Sequence, residues 1–149
     1  MQTLFDPQTH QDVLRRVASL RPDSVRQWGK MSPAQMLEHT SRALDMAIGT
    51  RPVSQVLLGK LIAWTVRKQF VGEKPFSKNG PTGPWLIVTD EPDFATVQAK
   101  VTRLLEDVHK LGERGCDGHV HGFFGKMTGA EWGVTQFKHM DHHLRQFGV

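Results

Sequence analysis

The sequence has very little cysteine, since Cys116 is the one thiol among 149 residues. A single sulfur excludes an internal disulfide and a thiolate-rich zinc site, because each of these needs at least two. Gly115, Asp117 and Gly118 surround the thiol, and this composition indicates an exposed turn rather than a catalytic pocket. A nucleophilic role for Cys116 is therefore the disfavoured alternative.

The sequence also lacks the roughly 18 to 20 uninterrupted apolar residues that a membrane-spanning helix needs. The longest apolar stretch, Val53 to Val71, is interrupted by Lys60, Arg67 and Lys68. The first residues, Met1 to Pro7, show no basic region followed by an apolar run, which a secretory signal would have. These absences predict a cytoplasmic protein without a membrane partner.

A concentrated excess of one charge is missing as well. The 19 basic and 15 acidic residues leave a net charge of +4, and the densest basic pairs, Arg15-Arg16 and Arg67-Lys68, belong to separate segments. Proteins that bind nucleic acids gather such charge on one element, so we expect no nucleic-acid partner. With 38% hydrophobic and 23% charged residues, residues 1–149 are predicted to form a single globular domain.

Helical periodicity dominates the rest of the sequence. Apolar residues recur every three or four positions in several segments, and Ser32-Pro33 with Gln35 forms a capping box that predicts a strong helix start. Thr128 and Glu131 repeat this pattern near the end of the chain. The predicted helices follow Pro7, run from Ser32 to Gly49 and from Val53 to Val71, extend from Pro92 to the Gly-rich turn Gly112–Gly118, and begin at Thr128 and continue toward Phe147.

One long segment interrupts this helical pattern. Glycine and proline are frequent between Glu73 and Glu91, which predicts an irregular excursion over the surface. No alternating apolar run indicates a strand. We therefore predict an all-α fold, an antiparallel four-helix bundle with an additional helix or hairpin and a long irregular loop. In the Val53–Val71 segment the residues expected to be buried are Val56, Leu57, Leu61, Trp64 and Val66.

The last predicted helix carries the most distinctive side chains, His139, His142 and His143. At 100° per residue, His143 lies about 40° around the helix from His139 and one turn further along, so the two imidazoles can bind one ion. Trp132 and Gln146 share this face, which borders the apolar arc of the helix. His142 lies about 100° behind His143, and we expect it to be a weaker ligand candidate or a surface residue.

A third ligand must come from another segment, because a catalytic zinc site usually has three protein ligands and one open position. His39 is the natural candidate, since it lies one turn into the strongly capped helix at the border of its apolar stripe. The alternative for His39 is a hydrogen-bonded residue at the core boundary. A pair of histidines four residues apart also occurs by chance, so both alternatives stay open on the residues alone.

Early in the chain stand Trp28, Ser32-Pro33, Met36-Leu37 and His39, and at its end His139, His143 and Gln146. This combination resembles the DinB/YfiT-like superfamily of metal-binding helical bundles. In that superfamily one histidine of the second helix and a pair spaced by four on the last helix coordinate a divalent ion, often zinc or nickel. The resemblance spans nearly the whole chain and implies that His39, His139 and His143 are the ligands. The C-terminal region is similar to one branch of the superfamily that is classed as a domain of unknown function, through Phe123 to Lys126, Glu131-Trp132 and Lys138 to Phe147.

The resemblance implies a metal-dependent enzyme acting on a small-molecule substrate. Three neutral imidazoles leave a divalent ion its full charge, so a bound water or thiol becomes acidic. Relatives include transferases that use a low-molecular-weight thiol, so we favour a thiol S-transferase. The alternatives are a metal-dependent hydrolase and a non-catalytic helical module with a structural or vestigial metal site. Similar bundles commonly form homodimers.

Supporting roles are expected for residues near the three histidines. Gln146 is predicted to orient a ligand or substrate, and Trp132 to wall the pocket; plain packing is the alternative for both. Glu38 and Asp141 are candidate acceptors for imidazole N–H groups, although acidic residues on helices commonly face solvent. His119 and His121 are candidates for the pocket mouth, with an ordinary loop turn as the alternative.

Overall fold

The computed structural model describes residues 1–149, and α-helices form most of the chain. No helix has the length and apolar character that crossing a bilayer requires. The prediction of a mainly helical, all-α chain is confirmed, but two short strands were not expected. The elements are α1 (Pro7–Ser19), α2 (Pro33–Ala47), α3 (Leu57–Phe70), a 3-10 turn at Pro84–Leu86, α4 (Phe94–Cys116), β1 (Val120–His121), β2 (Gly125–Lys126) and α5 (Gly129–Gln146).

Side-chain caps start four of the five helices. Asp6 caps α1, and Asp93 caps α4, each by accepting a backbone N–H three residues ahead. Ser32 and Thr128 form the two reciprocal capping boxes that the sequence predicted. Because such caps satisfy amides that have no partner inside the helix, each stabilises its helix by about 1 kcal/mol.

The core forms where α1, α2, α4 and α5 pack against one another. Helix α2 contacts both α4 and α5, and α1 contacts the same two helices. Their apolar stripes supply the large, fully buried side chains, and burying one leucine or methionine stabilises the fold by roughly 1.5–3 kcal/mol. The fully buried residues of this core include Val13, Met36, Leu37, Leu44, Leu105, Trp132, Met140 and Leu144.

Helix α3 differs from the prediction. Its large apolar residues lie outside: Trp64 is 78% exposed and Leu61 64% exposed, and Leu57 and Val66 are exposed too. The buried face of α3 instead consists of Gly59 and Ala63. The expectation that the large residues of this helix are buried was wrong, because helical periodicity identifies an apolar face but does not say that the face meets the core.

The end of α4 corrects two further expectations. The helix continues to Cys116 rather than closing at Gly112, which has a non-helical conformation with φ 62° and kinks the helix. The Cys116 thiol is completely buried, and burial raises its pKa to about 11. Cys116 is therefore a core residue, and the exposed turn that its glycine neighbours indicated begins one residue later.

Gly59 should be essential for the docking of α3. A Cβ at this position would collide with the backbone carbonyl oxygen of Phe123. We therefore expect Gly59→Ala to lower the free energy of unfolding by about 1–3 kcal/mol, although alanine has a higher helix propensity than glycine. Urea unfolding measures this change. Lys60→Ala, which removes an exposed charged side chain of α3, is the control, with a change within about 0.5 kcal/mol; equal effects of the two variants would show that α3 is docked differently.

Candidate metal centre

Three histidines from two helices meet in the interior of the protein. His39 lies on α2, and His139 and His143 lie one turn apart on α5. The ring centroids are 4.9 Å apart for His39 and His139, 4.7 Å for His39 and His143, and 4.8 Å for His139 and His143. One nitrogen of each ring lies within 4.8 Å of the other two. The three side chains can therefore hold one metal ion.

The ring of His39 is oriented by the irregular segment between α3 and α4. Its Nδ1 donates a hydrogen bond of 3.0 Å to the carbonyl oxygen of Leu86. Because Nδ1 carries this proton, Nε2 presents its lone pair. That Nε2 lies 2.9 Å from Nε2 of His139. His39 is thus turned so that its free nitrogen faces the other two histidines.

A second hydrogen bond orients His143. Nδ1 of His143 donates to Oε1 of Gln146 at 2.8 Å. Nε2 of the same Gln146 amide donates to the carbonyl oxygen of Trp28 at 2.8 Å. This second bond fixes which end of the amide faces His143. Gly29 permits this approach, since its φ is +75° and a Cβ there would collide with the Gln146 amide. The Nε2 of His143 is therefore also available as a ligand.

The arrangement suits a divalent ion that accepts nitrogen ligands. Two nitrogens bound to tetrahedral zinc lie roughly 3.3 Å apart for bonds near 2.05 Å, so the 2.9 Å between His39 and His139 needs to widen by only a few tenths of an ångström. The group contains no fourth His, Cys, Asp or Glu side chain. Three protein ligands leave a coordination position for water or substrate, as catalytic zinc sites do.

Burial keeps the three imidazoles neutral. It is the largest cause that lowers the pKa of His39, and it lowers the pKa of His139 well below its usual value, with the neighbouring histidines contributing further. The pKa of His143 falls to about 3, again mainly through burial. Neutral imidazole is the form that binds metal ions, so the site needs no deprotonation at neutral pH.

One side of the centre faces outward. His39 and His143 are buried, with 4% and 7% exposure, whereas His139 is half-buried. The ring centroid of Phe76, from the irregular segment after α3, lies 6.5 Å from that of His139. The side of His139 and Phe76 is therefore the least enclosed side of the centre.

The acidic residues near the histidines do not orient them. Glu38 forms ion pairs with Arg42 at 2.8 Å and Lys100 at 3.3 Å. Asp141 forms ion pairs with Arg16 at 2.9 Å and Arg145 at 3.0 Å. The expectation that Glu38 and Asp141 accept imidazole N–H groups was therefore wrong, because nearby cations take their carboxylates; the carbonyl of Leu86 and the amide of Gln146 are the acceptors.

The other predicted site residues surround a neighbouring aromatic cluster. Trp132 is fully buried, and its Nε1 donates to the carbonyl oxygen of His119 at 3.3 Å. The ring of Trp132 lies 5.7 Å from that of His121, and burial lowers the pKa of His121 to about 4. Nδ1 of His119 donates to the carbonyl oxygen of Ala47 at 2.8 Å. His119 therefore ties the loop before α5 to the end of α2.

His142 lies beside the three ligands and outside their nitrogen cluster. Its ring centroid is 5.0 Å from that of His143, 5.6 Å from Trp28 and 6.4 Å from Phe76. Trp28 was recognisable in the sequence only as part of a motif, and Leu86 and Phe76 were not predicted. The carbonyl of Leu86 has no sequence signal, because any residue can supply a backbone acceptor.

Comparisons with known proteins add one family. The family described as "Protein of unknown function (DUF1569)" matches residues 5–148. No curated protein and no solved structure matches the chain.

Acid should destabilise the metal-free protein through these buried imidazoles. An unfolded-state histidine has a pKa near 6.5, so the stability due to a lowered folded-state pKa is present above pH 6.5 and is lost as the pH falls toward the folded value. For His143, whose folded pKa is about 3, this loss between pH 7 and 5 is about 2 kcal/mol.

Gln cannot titrate, so in His143→Gln the free energy of unfolding should fall less between pH 7 and 5 than in the wild type. The two falls should differ by about 2 kcal/mol. Urea unfolding in the presence of EDTA measures both differences. Identical falls for the wild type and the variant would mean that His143 is not buried in its neutral form.

Proposed function

The chain belongs to the DUF1569 family of proteins of unknown function, and from this premise we propose that it is a metal-dependent enzyme whose ion is bound by His39, His139 and His143. One observation carries the proposal, namely that one nitrogen of each ring lies within 4.8 Å of the other two. Helices α2 and α5 present these nitrogens from opposite ends of the chain. Their common orientation costs conformational freedom, which a bound ion offsets.

The architecture proposed with this function is a DinB-like four-helix bundle that comprises residues 1–149 as one domain. The mutual packing of α1, α2, α4 and α5 supports it, with α3 as the additional helix. The positions of the three histidines also match the pattern of that superfamily, one on the second helix and two on the last. In this proposal the DUF1569 family is a branch of that superfamily.

The bound ion, zinc or nickel, would supply Lewis acidity to a thiol or water in the open position. We favour a thiol S-transferase over a hydrolase, because relatives in the DinB-like superfamily include such transferases. His39 and His143 hold their free nitrogens inward through Leu86 and Gln146. In the transfer, the thiol releases its proton to solvent, and a new sulfur–carbon bond forms as the bond from that carbon to the leaving group breaks.

Gln146 and Trp132 receive supporting roles in this proposal. Gln146 is a positioning residue, since its Oε1 accepts from His143 while its Nε2 donates to Trp28. Removal of a side chain that hydrogen-bonds to a metal ligand typically lowers metal affinity by 10–100-fold. Trp132 supports the wall of the site indirectly, because its ring lies 5.7 Å from that of His121 in a tilted arrangement.

An open site argues against a purely structural ion. Structural zinc sites are usually closed by four protein ligands, and the group here comprises three. The half-buried position of His139 also leaves a path for a substrate. A hydrolase that uses the open position for water has the same ligands and differs in what the neighbouring surface binds.

The exposed face of α3 supports a homodimer. Leu57, Leu58, Leu61 and Trp64 are each more than half exposed. Contiguous exposed apolar patches mark interaction sites, and similar bundles commonly form homodimers. We propose that a second copy of the chain covers this face.

Metal content and turnover should depend on the same three residues. We expect protein purified without a histidine tag to contain about one zinc or nickel ion per chain by elemental analysis. His139→Ala and His143→Ala should lower metal affinity at least 100-fold and abolish turnover of a thiol with an electrophile. The control is His109→Ala, which removes an imidazole of α4 outside the three-histidine group. This variant should keep both its metal affinity and its turnover. Turnover that resists both EDTA and His143→Ala would reject the enzyme proposal.

The oligomeric state should follow the α3 face. We expect sedimentation or light scattering to give the mass of a dimer for the wild type. Leu61→Asp should give the mass of a monomer, because it places a charge at the centre of the face. Val25→Asp, at an exposed valine outside α3, should leave the dimer intact. A wild type that is monomeric at all concentrations would contradict this assignment.

A further inference from the structure

A cleft adjoins the candidate metal centre on its outward side. It has a volume of about 250 Å³, and its lining includes Trp28, Phe76, Lys78, Lys138 and His142. His142 connects the cleft to the centre, since its ring lies 5.0 Å from that of His143. Phe76 borders both, at 6.5 Å from His139 and 6.4 Å from His142. A molecule in the cleft therefore lies beside the centre, on the side of Phe76 and His142.

Hydrogen bonds from α5 hold the walls of this cleft. Lys138 is buried, and its ammonium donates to the carbonyl oxygens of Phe70 and Gly72, at 2.6 Å each. These bonds satisfy carbonyls at the end of α3 and so position the segment that carries Phe76. On the other wall, Gln146 donates to the carbonyl of Trp28. Residues next to the metal ligands thus fix both aromatic walls.

The cleft has a free cation at its rim. Nζ of Lys78 lies 4.3 Å from the centroid of the Trp28 ring, and Lys78 forms no ion pair. In contrast, Asp141 and Arg145 in the lining neutralise each other. Lys138 and the unpaired Glu73 are the other charged residues there. The lining, with three cations and two acids, is net positive before the charge of a divalent ion is added.

We infer that this cleft binds the anionic part of the substrate, a small thiol that carries carboxylates, with Lys78 as the group that recognises them. The inference rests on the proposed function, because the thiol end must reach the three histidines. The aromatic walls accommodate the apolar part of the molecule between the sulfur and the carboxylate. Lys78, held over Trp28, is a binding residue for charge and does not touch the reacting atoms.

Glutathione and its diethyl ester test this inference with the cobalt(II)-loaded protein. The two thiols differ in that the ester carries neither carboxylate, and binding of either is measured by the thiolate-to-cobalt absorption band. We expect glutathione to bind about fivefold more tightly than the ester at low salt, and this preference to shrink as salt is added. Lys78→Gln should remove most of the preference while cobalt affinity stays unchanged.

The control is Lys74→Gln, which removes an exposed lysine from the same segment but outside the cleft. It should leave the preference for glutathione intact. Equal affinities for glutathione and the ester in the wild type would overturn the inference, as would an equal effect of the two lysine variants. In those cases the absorption band still supports the metal–thiol proposal; a protein that binds no cobalt would overturn both.

Discussion

The structure depends on the burial of several polar side chains of α5. Gln136, Lys138, His143 and Gln146 are buried, although each carries polar atoms. Burying such groups without partners costs several kcal/mol, so the surrounding segments must supply acceptors. They do so from far along the chain: Gln136 donates to Ala43 on α2, Lys138 to the end of α3, and Gln146 to Trp28.

The candidate metal centre is part of this network. His39 links α2 and the Leu86 segment to α5, because its ring contacts both Leu86 and the histidines of α5. The three rings are packed against one another, and burial lowers the pKa of His39 and His139. Like charges 5 Å apart would repel strongly in such an environment. The centre therefore requires neutral imidazoles. Neutral rings can be buried at neutral pH, and their unprotonated nitrogens are ready to bind a cation.

Around this fixed centre, the peripheral segments provide access and contacts. The segment after α3 carries Phe76 and Lys78 to the outward side of the centre, while α3 itself leaves its large apolar residues in contact with solvent. A rigid core with a more loosely attached periphery is a common way to combine a precise ligand set with substrate access. In the proposed function, self-association through α3 and binding in the cleft use different surfaces of this periphery.

Local patterns in the sequence predicted the helices and the ligand pair on α5. The capping boxes at Ser32 and Thr128 act within one turn, so they fix helix starts without help from the rest of the chain. The spacing of His139 and His143 likewise places both rings on one face. For His39, by contrast, the residues alone left a metal ligand and a core-boundary residue as alternatives, because spacing within one helix says nothing about another; the resemblance to a family favoured the ligand.

Tertiary structure alone decided which apolar faces are buried, which group accepts from each imidazole, and where the site opens. Leu61 and Trp64 have the periodicity of core residues, yet α3 docks through Gly59 and Ala63 because only small residues let it approach Phe123. Burial and hydrogen bonding depend on atoms that are distant in sequence. Helix caps and ligand spacing depend on atoms a few residues apart, and for that reason the sequence by itself determined those.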